Sequence, residues 1–235
     1  MNHDTIRHIL HTLTETFPDH PMADATQDDP YQVLIGCIIS LRTKDEVTIP
    51  ACYRLFEMAN TPEQMVQLPI EDIQRLIYPA GFYKTKAQTI LDISQRLIDE
   101  FDSRTPNTIE ELVTFKGVGR KTANLVVGLG FGLPAICVDT HVHRICNIWG
   151  YVKTKTPEQT ELALREKLPE DLWGIINWVL VRHGQELCKP IGARCDICPI
   201  ENNCPKINAR IRKPPKTSTT EKKLAKTVAQ RPKKK

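Results

Sequence analysis

Four cysteines near the end of this 235-residue chain constrain what that end can fold into. Their spacing is C-x6-C-x2-C-x5-C, and they are Cys188, Cys195, Cys198 and Cys204. The short segments between them contain too few apolar residues to fold as a unit by burying a core. Four thiolates this close in sequence can enclose one metal centre, and a soft metal ion or an iron–sulfur cluster suits four sulfur ligands. We therefore expect a loop that is held in shape by a metal centre.

Helical patterns dominate the rest of the chain. Near the N-terminus, apolar residues repeat at the spacing of one helical face, at Ile6, Ile9, Leu10 and Leu13. Three threonines followed by proline or acidic residues predict helix starts, at Thr61, Thr108 and Thr156. The apolar segment after Pro30 has enough β-branched residues for a strand, but its neighbours favour a buried helix. The sequence therefore predicts a mainly helical protein.

No apolar run approaches the roughly 18 residues that a membrane-spanning helix needs. The first residues also lack the long apolar stretch of a signal peptide. Four further cysteines stand singly in apolar or mixed surroundings, at Cys37, Cys52, Cys137 and Cys146. Without a secretion signal, we expect these to be reduced, partly buried thiols rather than disulfides.

The net charge of +4 hides a division within the chain. Residues 1–204 carry a net charge of −7, and residues 205–235 carry +11. This C-terminal stretch contains several prolines and few apolar residues, so we predict a disordered basic tail. Such a tail suits polyanions and adds a salt-sensitive attraction to phosphates. The alternative is an extension that only improves solubility.

Two glycines one residue apart mark a turn between two short helices, in the segment LVTFKGVGRKTANLVVGLG (112–130). Glycine permits positive φ and removes side chains, so the N–H groups of the turn can approach an anion at the positive end of the next helix. We predict a phosphate site at Lys116, Gly117, Val118, Gly119 and Arg120. Such turns also simply connect helices. The order helix, GVG, Arg-Lys, helix nevertheless resembles the helix-hairpin-helix element, which holds DNA by its backbone.

Lys121 lies in the first turn of the second helix of this segment, where an ammonium faces the positive end of the helix dipole. The cations Lys116 and Arg120 stand close to it in sequence. We expect such surroundings, with partial burial, to lower the pKa of Lys121 and to make its amine a nucleophile. The alternative is a lysine that binds phosphate and takes part in no chemistry.

Asp139 precedes the predicted helix HVHRICNIW in the position of an N-cap, and capping alone would explain it. A carboxylate near a nucleophilic amine can also take up a proton, or stabilise positive charge at the anomeric carbon of a sugar. His141 and His143 alternate with apolar residues, and we expect them to pack or form hydrogen bonds rather than bind metal.

Together these features resemble the endonuclease III family of DNA glycosylases and abasic-site lyases, over residues 5–207. The matching strings are GVGRKTAN (117–124), VDTH (138–141), RHG (182–184) and the complete cysteine spacing. The resemblance implies an all-α fold, in which a six-helix domain carries the hairpin and a second helical domain holds a 4Fe-4S cluster. It also implies four segments: an N-terminal helix (1–22) packed on the cluster domain, the six-helix domain (23–133), the cluster domain (134–207) and the basic tail (208–235).

The resemblance also implies a function, that of a bifunctional glycosylase and lyase of base excision repair. Lys121 would be the nucleophile that forms a Schiff base, Asp139 its acidic partner, and the four C-terminal cysteines the cluster ligands. Lys189 and Arg194 would press against phosphate. The partner would be double-stranded DNA with an oxidised pyrimidine or an abasic site. We expect a monomer in the cytoplasm, associated with the nucleoid if the source is prokaryotic, and a nuclear location stays open.

Three residues depart from the family pattern, and we expect all three to contact DNA. Arg42, in SLRTKD, replaces the glutamine that fills the gap left by a flipped base, which would change the preference for the opposite base. Phe82 stands where the family has an intercalating aliphatic residue, and the alternative for it is burial. Lys116 replaces a proline and adds charge beside Lys121.

Two other functions remain open from the sequence. One is a monofunctional mismatch or alkylation DNA glycosylase with the same fold. The other is a non-catalytic iron–sulfur protein that binds DNA. A covalent adduct with DNA through Lys121 would distinguish the bifunctional glycosylase and lyase from both of these alternatives.

Overall fold

Helices form all the regular secondary structure in the computed structural model, which describes residues 1–18 and 20–212. The α-helices are α1 (His3–Thr16), α2 (Pro21–Thr26), α3 (Pro30–Ser40), α4 (Asp45–Met58), α5 (Pro62–Val66), α6 (Ile70–Ile77), α7 (Tyr83–Phe101), α8 (Ile109–Leu112), α9 (Arg120–Leu125), α10 (Thr140–Ile148), α11 (Pro157–Lys167) and α12 (Trp173–Glu186). A π-helical turn, Val126–Gly130, continues α9. Within the described ranges there is one isolated β-bridge and no strand. The predicted all-α fold is confirmed.

Capping explains where several helices begin. Asp29 accepts the Gln32 N–H at 2.9 Å and so caps α3. The three threonines predicted as helix starts each accept the N–H three residues on, at 3.3 Å, and they are Thr61, Thr108 and Thr156. Each such bond satisfies a donor that the helix leaves unpaired, and is worth about 1 kcal/mol. These predicted helix starts are confirmed.

The apolar segment after Pro30 is the buried helix α3. Every residue from Tyr31 to Ile39 is buried, because α2, α4, α7 and the turn after α9 pack around it. A helix that is surrounded by protein has no polar face, and its sequence therefore shows little helical periodicity. None of the described helices is long and apolar enough to cross a membrane.

Two separate hydrophobic cores divide the described part of the chain. The first collects buried side chains between Ala25 and Ala135, from α2 to α9. The second joins α1 to α10, α11 and α12, and reaches Ile200 in the cysteine loop. We propose that these cores correspond to two domains, residues 23–133 around the first and residues 1–22 with 134–207 around the second. The four single cysteines are buried free thiols, as predicted: Cys37 and Cys52 lie in the first core, Cys146 lies in the second, and Cys137 is buried outside both.

The chain after the last cysteine folds back onto the cysteine loop. The backbone carbonyl of Arg210 accepts the N–H groups of Gly192 and Ala193, both at 2.9 Å. The backbone N–H of Arg212 donates to the Ala193 carbonyl at 2.9 Å. Within residues 208–212, which the sequence places in the disordered tail, Arg210 and Arg212 are therefore hydrogen-bonded to this loop. The rest of the predicted tail, residues 213–235, lies outside the described residues.

Candidate active site and DNA interface

A cleft of about 700 Å³ opens between the two cores. Its walls come from α3 and α4 on one side and from α10 and α12 on the other. The chemically active side chains along it include Lys44, Lys121, Asp139 and His141. The structure therefore brings together the two residues that the sequence proposed for catalysis.

The hairpin turn places Lys121 at this cleft. Of the two glycines in the turn, only Gly117 has a backbone conformation that favours glycine. Gly117 has φ +84°, in the left-handed region. Gly119 has φ −97° and caps α9, so the expectation of positive φ holds at Gly117 alone. No atom lies within 4 Å of the position that a Cβ of Gly119 would occupy. Gly119 thus leaves its backbone open to a ligand.

Val118 anchors the turn and is not available to DNA, which corrects its assignment as a DNA-binding residue. Its side chain is 6% exposed and belongs to the first core. Its N–H donates to the Phe115 carbonyl at 3.1 Å. Lys116, Gly117, Gly119 and Arg120 are exposed around it.

Arg120 is held by a carboxylate. Its Nη2 donates to Oε1 of Glu161 at 2.7 Å, and Arg165 donates to the same oxygen at 3.1 Å. Asn124 accepts from Arg165 at 2.9 Å. This network ties α9, in the first core, to α11, beside the second. Half of the Arg120 side chain stays exposed, so one face of it can still meet a phosphate.

Lys121 faces a carboxylate and two thiols rather than cations. Burial lowers the pKa of its amine, whereas Cys137, Asp139 and Cys37 raise it, and the net shift is upward. The thiols are neutral at pH 7, since burial raises the pKa of Cys37 to about 12 and that of Cys137 further. After Cys137, the next largest contribution that raises the Lys121 pKa comes from the Asp139 carboxylate. The prediction that the surroundings lower it is wrong.

Asp139 is the N-cap of α10. Its Oδ1 accepts the N–H groups of His141 and Val142, each at 2.9 Å. The preceding residues Ile136–Val138 are buried and fix the approach of the chain. Since both capping bonds end on Oδ1, capping does not use Oδ2. One carboxylate can therefore cap the helix and still act on Lys121.

Arg42 and Phe82 stack on each other at an exposed position. The Arg42 guanidinium carbon lies 5.7 Å from the centre of the Phe82 ring. Both residues have positive φ, +53° and +57°. The Phe82 side chain is 64% exposed, so the alternative of burial is wrong. The structure thus brings these two candidate DNA contacts together, although they lie far apart in sequence.

The four C-terminal cysteines line one cavity whose other walls are mainly apolar. Burial raises the pKa of Cys188 to about 11 and also raises those of Cys198 and Cys204. Burial therefore opposes the ionisation of these three thiols, and a positively charged group bound among them would favour the thiolates. Within residues 1–18 and 20–212, no three His, Cys, Asp or Glu side chains are arranged to hold a single metal ion.

Buried nitrogens without hydrogen-bond partners line the same cavity. The buried nitrogens Trp149 Nε1, His183 Nδ1 and Arg194 Nε have no partner among the described residues. All three residues line the cavity with the cysteines. Buried polar groups without partners are rare in folded proteins. A group that adds sulfide acceptors to the four thiolates would fit this lining.

The basic residues of the cysteine loop differ in their surroundings. Lys189 is exposed, while Arg194 is partly buried and lies against the cysteine cavity. Sequence reasoning missed Arg144, which donates to the Cys188 carbonyl at 2.8 Å and lies 3.4 Å from His141 Nδ1. Arg144 therefore ties the cysteine loop to the helix that Asp139 caps.

The sequence also left out residues of α12 and the segment before α2 that line the cleft. Trp178 packs edge-on against His20, with ring centres 5.3 Å apart. Asn177 donates to the Cys137 carbonyl at 3.2 Å. The available signal was a polar residue beside a tryptophan within the apolar run IINWVLV. As expected, His143 forms a hydrogen bond, 2.7 Å from Thr160 Oγ1.

Comparison with known sequences identifies relatives over most of the chain. A family model described as HhH-GPD superfamily base excision DNA repair protein matches residues 35–170, more than half of the chain. The endonuclease III of Thermotoga maritima is 44% identical over 199 residues, which cover 85% of this chain and 92% of that protein.

Two solved structures are similar in three dimensions. A non-covalent endonuclease III–DNA complex matches with a TM-score of 0.78 and 31% identity, and covers 91% of this chain and 100% of that chain. A trapped endonuclease III–DNA covalent intermediate matches with a TM-score of 0.75 and 31% identity, covering 90% and 100%. The family model, the 44% identical relative and the similar folds together show that the chain belongs to the endonuclease III family of the HhH-GPD superfamily.

Proposed function

We propose that this chain is a bifunctional DNA glycosylase and abasic-site lyase of base excision repair, and that it removes oxidised pyrimidines from double-stranded DNA. The observation that carries the proposal is the meeting of Lys121 and Asp139 in one cleft, where the carboxylate raises the pKa of the amine. Glycosidic chemistry needs a nucleophile and a group that moves protons at the same sugar. The cleft provides both beside a hairpin suited to phosphate.

The proposed reaction begins with an ammonium. Because Asp139 raises the pKa of Lys121, the amine must first lose a proton, and the free Oδ2 of Asp139 is suited to accept it. The uncharged amine then attacks C1′, and the bond from C1′ to the base breaks. The base leaves with the bonding electrons and takes up a proton.

The second half of the proposed reaction cleaves the strand. Opening of the sugar ring turns the bond between Lys121 and C1′ into a Schiff base. Loss of a proton from C2′ then expels the 3′ phosphate by β-elimination, and water releases Lys121. The protonated Schiff base carries a positive charge, which the Asp139 carboxylate stabilises.

The damaged nucleotide must leave the helix stack to reach this cleft. Flipping a base out costs a few kcal/mol and costs less for a damaged base that stacks poorly. The exposed Arg42 and Phe82 are suited to fill the gap, since a ring can wedge between bases. Lys116, Gly119 and Arg120 would hold the phosphates beside it.

We propose that Cys188, Cys195, Cys198 and Cys204 hold a 4Fe-4S cluster. The cavity lined by four thiols and by unpaired N–H groups of Trp149 and Arg194 supports a group that brings sulfide acceptors of its own. When bound, such a group supplies positive charge that stabilises the thiolates and anchors the loop. The chain itself then presents Lys189 on that loop, at a fixed position for a phosphate.

Borohydride trapping tests the proposed nucleophile. Wild-type protein on a duplex with thymine glycol should give a covalent protein–DNA adduct, and Lys121→Ala should give none. Lys44→Ala is the matched control, because Lys44 is a second amine in the same cleft. Its adduct should persist.

Other results of the trapping and base-release measurements would favour other functions or another nucleophile. Base release without an adduct in the wild type would favour a monofunctional glycosylase. Binding with no base release would favour a non-catalytic protein. An adduct that Lys44→Ala abolishes and Lys121→Ala keeps would move the nucleophile to Lys44.

A further inference from the structure

Lys86 is a buried lysine that the proposed reaction does not use. It lies in α7 and is 5% exposed. Its Nζ donates to the carbonyls of Ile39 and Leu41, both at 2.6 Å, and to Thr43 Oγ1 at 2.8 Å. These bonds use all three donors of an ammonium. Burial lowers the pKa of Lys86 to about 8, so the charged form still predominates at neutral pH.

The three acceptors flank Arg42. Ile39 belongs to the last turn of α3, where carbonyl groups lack helical partners and attract a cation. Leu41 and Thr43 are the two neighbours of Arg42 in the chain. Bonds on both sides of Arg42 fix its backbone, which has φ +53°. Lys86 therefore adds to the turn bond from the Thr43 N–H to the Ser40 carbonyl, at 3.0 Å, in holding the backbone that carries the Arg42 side chain.

The hydrogen bonds of the Lys86 side chain also reach the segment that carries Phe82, through Thr43. The Phe82 carbonyl itself accepts the backbone N–H of residue 86 at 3.0 Å, a helical bond that does not depend on the lysine side chain. Thr43 Oγ1 accepts the Gly81 N–H at 3.1 Å. A Cβ at Gly81 would lie 3.0 Å from the Arg42 carbonyl oxygen, so the two backbones are in close contact. Lys86 thus connects both loops beneath the stacked pair.

We propose that Lys86 is a positioning residue that holds Arg42 and Phe82 as one rigid unit, and that this unit sets the preferred base opposite the damage. The inference rests on the proposed function. A guanidinium has only donors, and guanine presents two acceptors, O6 and N7, where adenine presents N7 beside a donor. The unit therefore favours guanine over adenine as the opposite base.

The test compares rates on paired substrates. Single-turnover base release is measured with the same oxidised pyrimidine placed opposite guanine or adenine. Borohydride trapping on a single-stranded abasic oligonucleotide serves as the second measurement, since that substrate has no opposite base. The variants are Lys86→Met, which keeps the length of the side chain, and Thr43→Val, which keeps its shape. Lys84→Met is the control, because Lys84 is exposed on the same helix and its loss removes the same charge.

Wild-type protein should act faster opposite guanine. In Lys86→Met and Thr43→Val the guanine-to-adenine ratio should fall toward one, and rates on duplex should drop about tenfold or more, as small displacements in reactive complexes do. Trapping on the single strand should stay within about twofold, because Lys121 is untouched. Lys84→Met should keep the wild-type ratio.

The proposal is overturned if both variants keep the wild-type ratio, or if Lys84→Met lowers the ratio as much as Lys86→Met. If Lys86→Met does not fold, the ratio in Thr43→Val decides. Absence of trapping by the wild type on the single strand would contradict the proposed lyase function itself. The test therefore distinguishes failure of the positioning role of Lys86 from failure of the proposed lyase function.

Discussion

At the scale of single residues, Asp139 combines two roles that a substitution can separate. Its Oδ1 caps α10 with two hydrogen bonds, and its charge raises the pKa of Lys121. An asparagine keeps an oxygen that can accept the capping bonds but carries no charge. An alanine loses both.

Asp139→Asn should therefore lower activity without unfolding the protein. We expect single-turnover base release to fall by about 100-fold or more, as for loss of a proton-transfer group. The free energy of unfolding in urea should change by less than about 0.5 kcal/mol in Asp139→Asn, and should drop by about 1 kcal/mol in Asp139→Ala. An Asp139→Asn variant of full activity would leave Asp139 with the capping role alone.

The sequence identified the candidate residues, but it did not show which charged groups surround them in the fold. Lys121 and Asp139 followed from short motifs, because each stands at the start of a predicted helix. The proximity in sequence of Arg120 to Lys121 suggested repulsion. In the fold, Arg120 is paired with Glu161, which is 41 positions away and carried no sequence signal.

At the scale of elements, the two hairpin glycines have different roles. Gly117 needs a left-handed backbone, whereas Gly119 adopts an ordinary one with open space around it. Gly117→Ala should lower the free energy of unfolding by about 1–2 kcal/mol. Gly119→Ala should change it by less than about 1 kcal/mol and should instead weaken duplex binding, since a methyl group would stand in the path of a phosphate.

Chemical denaturation and fluorescence anisotropy on an abasic duplex measure these two effects. Equal stability losses in both variants, with equal binding losses, would contradict the separation of roles.

The ion pairs of Glu161 with Arg120 and Arg165, which join α9 to α11, predict how the free energy of unfolding depends on pH. Burial raises the pKa of Glu161, but its bonds with Arg120 and Arg165 outweigh this, and the net pKa is below the usual 4.5. A carboxylate with a lowered pKa stabilises the fold above its unfolded pKa, and this stabilisation is lost as pH falls through the folded pKa.

Glu161→Gln should therefore lower the free energy of unfolding by about 1–3 kcal/mol at pH 7, a range limited by the solvent exposure of Arg120. The difference from the wild type should shrink below pH 4.5 as the wild-type carboxylate takes up its proton. Urea titrations at several pH values measure it. A difference that stays constant down to low pH would show that the Glu161 side chain stabilises the fold by packing and not by its charge.

At the scale of the whole molecule, the cysteine loop is bonded to α10 through Arg144 and to the chain after the last cysteine through Arg210. A change at the loop should therefore reach the second core. No cysteine of the loop lines the cleft.

Cys198→Ser should lower the iron content and the visible absorbance of the purified protein, and should weaken duplex binding. Trapping by Lys121 on a single-stranded abasic oligonucleotide should persist in whatever fraction stays folded. Cys146→Ala is the control, because Cys146 is buried in the second core and should not affect iron content. Normal iron content in Cys198→Ser would contradict the proposed ligand set.

The helices, several of their caps and the hairpin could be predicted from the sequence alone, because each depends on residues within a few positions of one another. Contacts between distant residues required the folded structure: Asp139 and two thiols rather than cations around Lys121, Glu161 at Arg120, and Lys86 beneath Arg42 and Phe82. The fold also showed that Val118 anchors the hairpin and that Arg210 and Arg212 are hydrogen-bonded to the cysteine loop. Burial, charge interaction and hydrogen bonding depend on distance in space, which local sequence does not specify.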